Sequence, residues 1–270
     1  MTGNIIVIGG HGSLGKHLPA QPGLIVSDLR LEASADELTA AFTQGNISTV
    51  INFAAMTDPA ICEANPQLTY AINADAVEKL YQAASNAGCR KFVQVSTSHV
   101  YGVSSELKYF ATDDPCHPRS VYGKSKRQAE ERLLKLAEDS TTEMSIVRIF
   151  SVVSTQLREG FLYKNLINRA KSKDYSSIQG LNSVRDFIHA KDAVAIVMKA
   201  AETPNCPVII NACSGKGTSI RSLVEQVYTE YGADPHQIEN FFDESEDGDY
   251  LVGEPSSPFI DSADFQSDRL

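Results

Sequence analysis

Short apolar, often β-branched runs recur along the first half of the chain: Ile5-Ile6-Val7-Ile8, Leu24-Ile25-Val26, Val50-Ile51-Asn52-Phe53, Phe92-Val93-Gln94-Val95 and Ser145-Ile146-Val147-Arg148-Ile149. Runs of this kind suit strands buried on both faces, as in a parallel sheet covered by helices. Between them the apolar period changes. Leu68, Ile72, Ala76, Leu80 and Ala84 repeat at helical spacing, as do Ala129, Leu133, Leu136 and Ala137 after a proline-bearing stretch. Alternation of strand and helix predicts an α/β fold with a doubly wound parallel sheet. A later helical pattern (Ala193, Val194, Val197, Ala200, Ala201) leads into Val208-Ile209-Ile210, which is expected to join the same sheet. Residues 1–155 are expected to form the main domain, with 186–213 returning to it, and 156–270 mainly a smaller C-terminal lobe.

Composition narrows the class. The chain has 270 residues, 42% hydrophobic and 21% charged, with a formal net charge of −10. That is ordinary globular composition. The acidic balance argues against nucleic acid or an anionic membrane as partner. No apolar run approaches the roughly 18 residues of a membrane-spanning helix. Met1-Thr2-Gly3-Asn4 carries no basic leader. Cys62, Cys89, Cys116, Cys206 and Cys213 form no CxxC pair, so neither a metal site nor a disulfide framework is expected, and the simplest setting is the cytoplasm. The acidic stretch Asp243-Glu244-Ser245-Glu246-Asp247 reads as a solvated loop.

Gly9-Gly10-His11-Gly12-Ser13-Leu14-Gly15 follows the first strand and satisfies both GxGxxG and GxxGxxG. With a helix opening at Lys16, such glycines allow a tight turn and close backbone approach to a pyrophosphate, while a helix N-terminus supplies free N–H groups. Asp28 ends the second strand, where a carboxylate can accept hydrogen bonds from ribose hydroxyls; Arg30 could instead pair with a 2′-phosphate. The sequence therefore predicts a Rossmann-type domain binding NAD, with NADP as the alternative. Tyr122 and Lys126 stand four residues apart, on one face of a predicted helix. A nearby ammonium favours the phenolate, bringing a tyrosine within reach of proton transfer to a carbinol or carbonyl oxygen. Ser96-Thr97-Ser98 directly follows a strand, so a hydroxyl there can hold the same oxygen.

These motifs resemble the extended short-chain dehydrogenases/reductases that act on nucleotide-linked sugars. The resemblance runs through the glycine loop, Asn52-Phe53-Ala54-Ala55, Ser96 to Gly102, Ser120 to Lys126, Arg185-Asp186-Phe187-Ile188-His189 and Asn211 to Ile220. It implies that Thr97, four residues before Tyr101, is the catalytic hydroxyl. Tyr122 would be the general acid/base, and Lys126 its electrostatic partner and a ribose ligand. Gly9, Gly12, Ser13, Leu14, Gly15, Asp28, Arg30, Phe53, Ala54 and Ala55 would line the cofactor together with Tyr122 and Lys126, and Arg185 and Ser98 the sugar nucleotide bound in the C-terminal lobe. Dehydratases of this kind carry Asp-Glu after the catalytic Thr; Ser98 and His99 stand there instead, which argues against dehydration. His99 is a candidate proton shuttle or a packed residue. Three readings remain: a 4-keto-sugar reductase similar to dTDP-4-dehydrorhamnose reductases, a 4-epimerase keeping NAD bound, and a non-catalytic NAD(P)-binding regulator. Relatives commonly pair, so a homodimer is expected.

Overall fold

The structure, a computed structural model, describes residues 3–245 and 247–256. The chain forms two compact units. The first takes in the chain through Gly102, Pro115–Ile149 and Val194–Ile210; the second takes in Val103–Asp114, Phe150–Ala193 and the chain from Asn211.

In chain order the first unit begins β1 (Asn4–Ile8), β2 (Leu24–Ser27), α1 (Ala35–Gln44), β3 (Ile47–Asn52), α2 (Pro59–Ala64) and α3 (Pro66–Tyr70). A π-helical turn (Ala71–Asp75), α4 (Ala76–Asn86) and β4 (Lys91–Thr97) follow. β5 (Tyr109–Phe110) belongs to the second unit; α5 (Val121–Ala137) and β6 (Glu143–Ile149) return to the first. Then come β7 (Ser151–Val153), α6 (Leu162–Ser172), β8 (Val184–His189), α7 (Ala190–Glu202), β9 (Ile209–Ala212), β10 (Gly217–Ser219), α8 (Ile220–Glu230) and β11 (Tyr250–Gly253). The main sheet has the order β2-β1-β3-β4-β6-β9, so the 208–210 run does join it. Pairing is parallel from β2 through β6. Strand order reverses at β1, which puts the switch point at the carboxyl ends of β1 and β3. Leu38 and Phe42 of α1, Leu80 and Tyr81 of α4, and Leu133 of α5 pack with Val50, Phe92 and Ile146 of the sheet. The Tyr81 and Phe92 rings meet edge-on at 5.3 Å.

Two sequence expectations need correction. No α-helix opens at Lys16: the chain makes a single 3₁₀ turn, Gly15–His17. Pro19 drives its neighbour Leu18 to extended geometry (ψ 139°), and residues 16–23 are all that separate Gly15 from β2. With no helix to cover them, Ile25 and Val26 of β2 remain 38% exposed. The stripe read from Leu68 is also out of phase at its start. Leu68 is exposed, Ile72 and Ala76 are half-buried against the core, and the fully buried positions are Thr69, Asn73, Ala74, Val77, Leu80, Tyr81, Ala83 and Ala84. The π turn inserts an extra residue into the helical repeat and rotates the apolar face.

In the second unit β8 is central, parallel to β7 and β11 and antiparallel to β10, and β11 pairs with β5. Leu166, Ile167 and Ala170 of α6 pack against Leu223, Val224 and Val227 of α8. Asp243, Glu244, Ser245 and Asp247 are exposed, as a solvated loop requires; Glu246 lies outside the described residues. Among the described residues no helix is long and apolar enough to cross a membrane.

Candidate active site

The glycine loop is built from close backbone approaches. Gly9 turns the chain with φ +74°, and a Cβ there would strike the backbone of Ala54. A Cβ on Gly15 would collide with the carbonyl of Gly10. Gly12 N donates to Gly9 O (3.1 Å), and Phe53 N donates to Ile8 O (2.9 Å). Ala54 N donates to Asn52 Oδ1 (3.0 Å). Half-buried Phe53, Ala54 and Ala55 therefore sit against the loop that carries half-buried Ser13 and Leu14. Asp28 directly follows β2, its carboxylate 98% exposed and 3.0 Å from His11 Nε2. Arg30 is exposed two residues on. A bare loop beside an exposed carboxylate fits a dinucleotide. Its N–H donors come from the loop and one 3₁₀ turn, since no long helix stands behind them.

The second cluster lies where β4 meets α5. Ser120 caps α5, accepting from Gly123 N at 3.1 Å. Gly123 allows the first turn of α5 to pass close to the turn after β4: a Cβ there would come within 2.8 Å of His99 O. This brings Tyr122 to the end of β4. Burial pushes the Tyr122 phenol up to about 12, against the downward pull of a hydrogen bond with Thr97. His99, exposed, lays its ring edge-on to Tyr122, centroids 5.8 Å apart, and its backbone N–H donates to Thr97 Oγ1 at 3.3 Å. Ser98 is buried at 2% exposure.

Lys126, one turn beyond Tyr122, is also buried, and its Nζ donates to Val95 O at 2.7 Å. Burial lowers its ammonium to about 8, while the Glu130 carboxylate pulls it upward. The raised phenol runs opposite to the pull expected from a neighbouring ammonium. Here the lysine is turned to a backbone carbonyl, and desolvation decides the Tyr122 value.

Arg185, in the second unit, has Nη1 2.7 Å from Asp249 Oδ1 and donates from the same atom to Val184 O (2.9 Å) and Asp249 O (3.1 Å). Its neighbour Asp186 is fully buried. Burial pushes that carboxyl up to about 6, opposed by the hydrogen bonds it accepts. Ser214 N and Oγ donate at 2.7 Å, Gly215 N at 2.9 Å and Gly253 N at 3.3 Å. Asp186→Ala strands these donors, and a buried unsatisfied donor costs about 1–3 kcal/mol. The variant is expected to lose roughly 3 kcal/mol in urea denaturation, with the 213–215 turn loosened first in hydrogen exchange.

Sequence reading passed over three positions. Asn73, in the π turn, accepts from Met56 N (2.8 Å) and donates to Met56 O (2.9 Å) and Ser125 Oγ (3.0 Å). Glu130 and Arg148 form a buried ion pair behind the cluster, Arg148 Nη2 to Glu130 Oε2 at 2.8 Å. The spacing of Glu130 four residues after Lys126 was visible in the sequence. Asn73 had no signal of its own.

Thr97, Tyr122 and Lys126 thus converge in one compact unit that also carries the glycine loop at its switch point, the arrangement of a Rossmann-type oxidoreductase. The chain belongs to the NAD dependent epimerase/dehydratase family, whose model matches residues 25–213, a stretch that starts after the glycine loop. It is 28% identical over 229 residues to a dTDP-6-deoxy-L-talose 4-dehydrogenase (NAD(P)(+)) of Kitasatospora kifunensis, covering 82% of this chain and 71% of that one. It is 25% identical over 244 residues to a dTDP-4-dehydrorhamnose reductase of Mycobacterium tuberculosis, covering 87% and 77%. Its fold is similar to that of a Thermus thermophilus UDP-glucose 4-epimerase solved with NAD, with a TM-score of 0.75 at 20% identity, covering 86% of this chain and 84% of that one.

Proposed function

We propose that this protein is an NAD(P)-dependent oxidoreductase acting at C4 of a nucleotide-linked sugar, working as a 4-keto-sugar reductase. The observation that carries the reading is the placement of Tyr122 and Lys126 on successive turns of α5, with Tyr122 beside Thr97 at the end of β4. A protonated phenol is suited to give its proton to a carbonyl oxygen as that oxygen gains charge. Thr97 holds the same oxygen. Lys126, charged at neutral pH, turns from Val95 O to favour the phenolate that remains. When bound, the dinucleotide supplies the hydride. Gly9, Gly12, Gly15 and the 53–55 segment would hold it, with Asp28 on the adenosine ribose. Arg185 would meet the sugar nucleotide's phosphates by exchanging its Asp249 contact for them. Similarity to a dTDP-sugar dehydrogenase and a dTDP-sugar reductase supports the sugar-nucleotide class.

Native mass spectrometry of the purified chain, with the absorbance of ligand released on denaturation, tests the reading. Empty protein that then binds NADH or NADPH and consumes it with a dTDP-4-keto sugar is the expected result. Stoichiometric NAD carried through purification would point instead to a 4-epimerase, which must keep its cofactor through a closed cycle. Failure to bind either dinucleotide would overturn both.

A further inference from the structure

Among the groups not yet given a part in the chemistry, Glu130 is held by four short polar contacts directly behind Tyr122 and Lys126. It is 0% exposed and lies on α5 one turn beyond Lys126 and two beyond Tyr122. Ser96 Oγ donates to its Oε1 at 2.6 Å. Arg148 Nε donates to Oε1 at 3.1 Å and Arg148 Nη2 to Oε2 at 2.8 Å. Arg127 Nη1 reaches Oε2 at 3.3 Å. Two consecutive residues of β4 are therefore tied to two successive turns of one face of α5. Val95 O accepts from Lys126 and Ser96 donates to Glu130, while Thr97, next along β4, stands beside Tyr122 on the turn before. Val95 O also accepts from Gln94 Nε2 at 2.7 Å.

We propose that Glu130 is a positioning residue for the reaction at Tyr122: anchored by Ser96 and Arg148, it fixes α5 against β4 and so sets where Tyr122 and Lys126 stand. This rests on the function proposed above. A buried ammonium has lost its hydration, and a carboxylate one helical turn away replaces part of that lost stabilisation. The other titratable or charged groups around this face are Tyr122 and Arg127 on α5 and Arg148 on β6. His99 and Tyr101 follow β4, Cys116 precedes α5, Cys62 lies on α2 and Asp75 ends the π turn. Of these, Arg127 and Arg148 are cations that already grip Glu130, and Asp75 is paired with Arg132 at 2.6 Å. Glu130 is the carboxylate that raises Lys126.

The test is the titration of Lys126 in the full chain, followed by NMR of ¹³C-lysine-labelled protein with the signal assigned through Lys126→Arg. In Glu130→Gln the Lys126 midpoint is expected to fall by about one pH unit, and Glu130→Asp should recover part of the loss. Ser96→Ala keeps every charge and removes only the anchor. Its midpoint is expected to fall by a smaller amount, with kcat reduced and KM for the dinucleotide held. Should Glu130→Gln fail to fold, Glu130→Asp and Ser96→Ala carry the test. A Lys126 midpoint unchanged in the folded variants overturns the proposal. The titration needs no substrate, so absence of turnover on nucleotide sugars would count against the function and leave this inference separately readable.

Discussion

Tyr122→Phe lowers turnover by about a thousandfold while leaving the fold and dinucleotide binding in place; that is the expected result of removing one hydroxyl from the cluster. Positioned proton transfer contributes about 10²–10⁴ in rate, and Tyr122 stands at the end of β4 beside Thr97. Phenylalanine keeps the ring, so the edge-on packing with His99 survives. What is lost is one hydroxyl beside a Thr97 that is only 6% exposed. The cost to stability is expected to stay at or below about 1 kcal/mol. Stopped-flow oxidation of NADH or NADPH, with binding measured by fluorescence titration, separates the two quantities. A variant that keeps turnover would remove Tyr122 from the chemistry. Lost turnover with unchanged function in the cell would instead favour a binding or regulatory role.

Arg148→Ala is expected to be the most damaging single change to stability, about 3–5 kcal/mol. Arg148 is 1% exposed inside β6, donates twice to a fully buried Glu130 and once to the Tyr101 hydroxyl at 2.8 Å, and lies 4.7 Å from that ring centroid. Burial alone would lower its guanidinium, and the hydrogen bonds and charge of Glu130 more than offset that. Removing one member of such a pair leaves an uncompensated buried charge, which is where the cost arises. Truncation to Ala adds a cavity. Ser96 and Arg127 cannot fill the role of the bidentate guanidinium. Guanidinium denaturation of both proteins would show the loss; a difference under 1 kcal/mol would mean that water or a neighbour repacks around Glu130. Glu130→Gln/Arg148→Met, which removes both charges together, should be less damaging than Arg148→Ala.

The sheet was legible because its strands are buried on both faces and so read as apolar runs, from Ile5-Ile6-Val7-Ile8 to Ser145–Ile149. The meeting of Thr97 with Tyr122 was legible because one ends a strand and the other opens a helix. The missing helix after Gly15 was misread although Pro19 and Pro22 announce it: the glycine pattern outweighed two residues that forbid a helix of any length. The phase of the helix from Pro66 to Asn86 was hidden for another reason. A one-residue π insertion leaves composition and average period almost untouched while moving every later side chain round the axis. Glu130 and Arg148 were hidden because charge in sequence reads as surface. Arg148 in the middle of an apolar run was the one signal that this charge is buried. Arg185 was singled out for phosphates, while its neighbour Asp186, which pins the 214–215 turn and Gly253, went unread.

The absent helix behind the glycine loop also bears on how the protein behaves in concentrated solution. β2 is an edge strand, and Leu24-Ile25-Val26-Ser27 carries no charge or proline within it, while Ile25 and Val26 stay partly open to water. An uncovered apolar edge is a template for strand pairing between molecules. Two flanking residues act as gatekeepers: Pro22 before the strand, and Asp28, almost fully exposed, just after it. Asp28 thus places a charge at the end of that edge, besides any part it would play toward a ribose. Neutralising it to alter cofactor preference would also strip one of the two guards from the edge of the sheet.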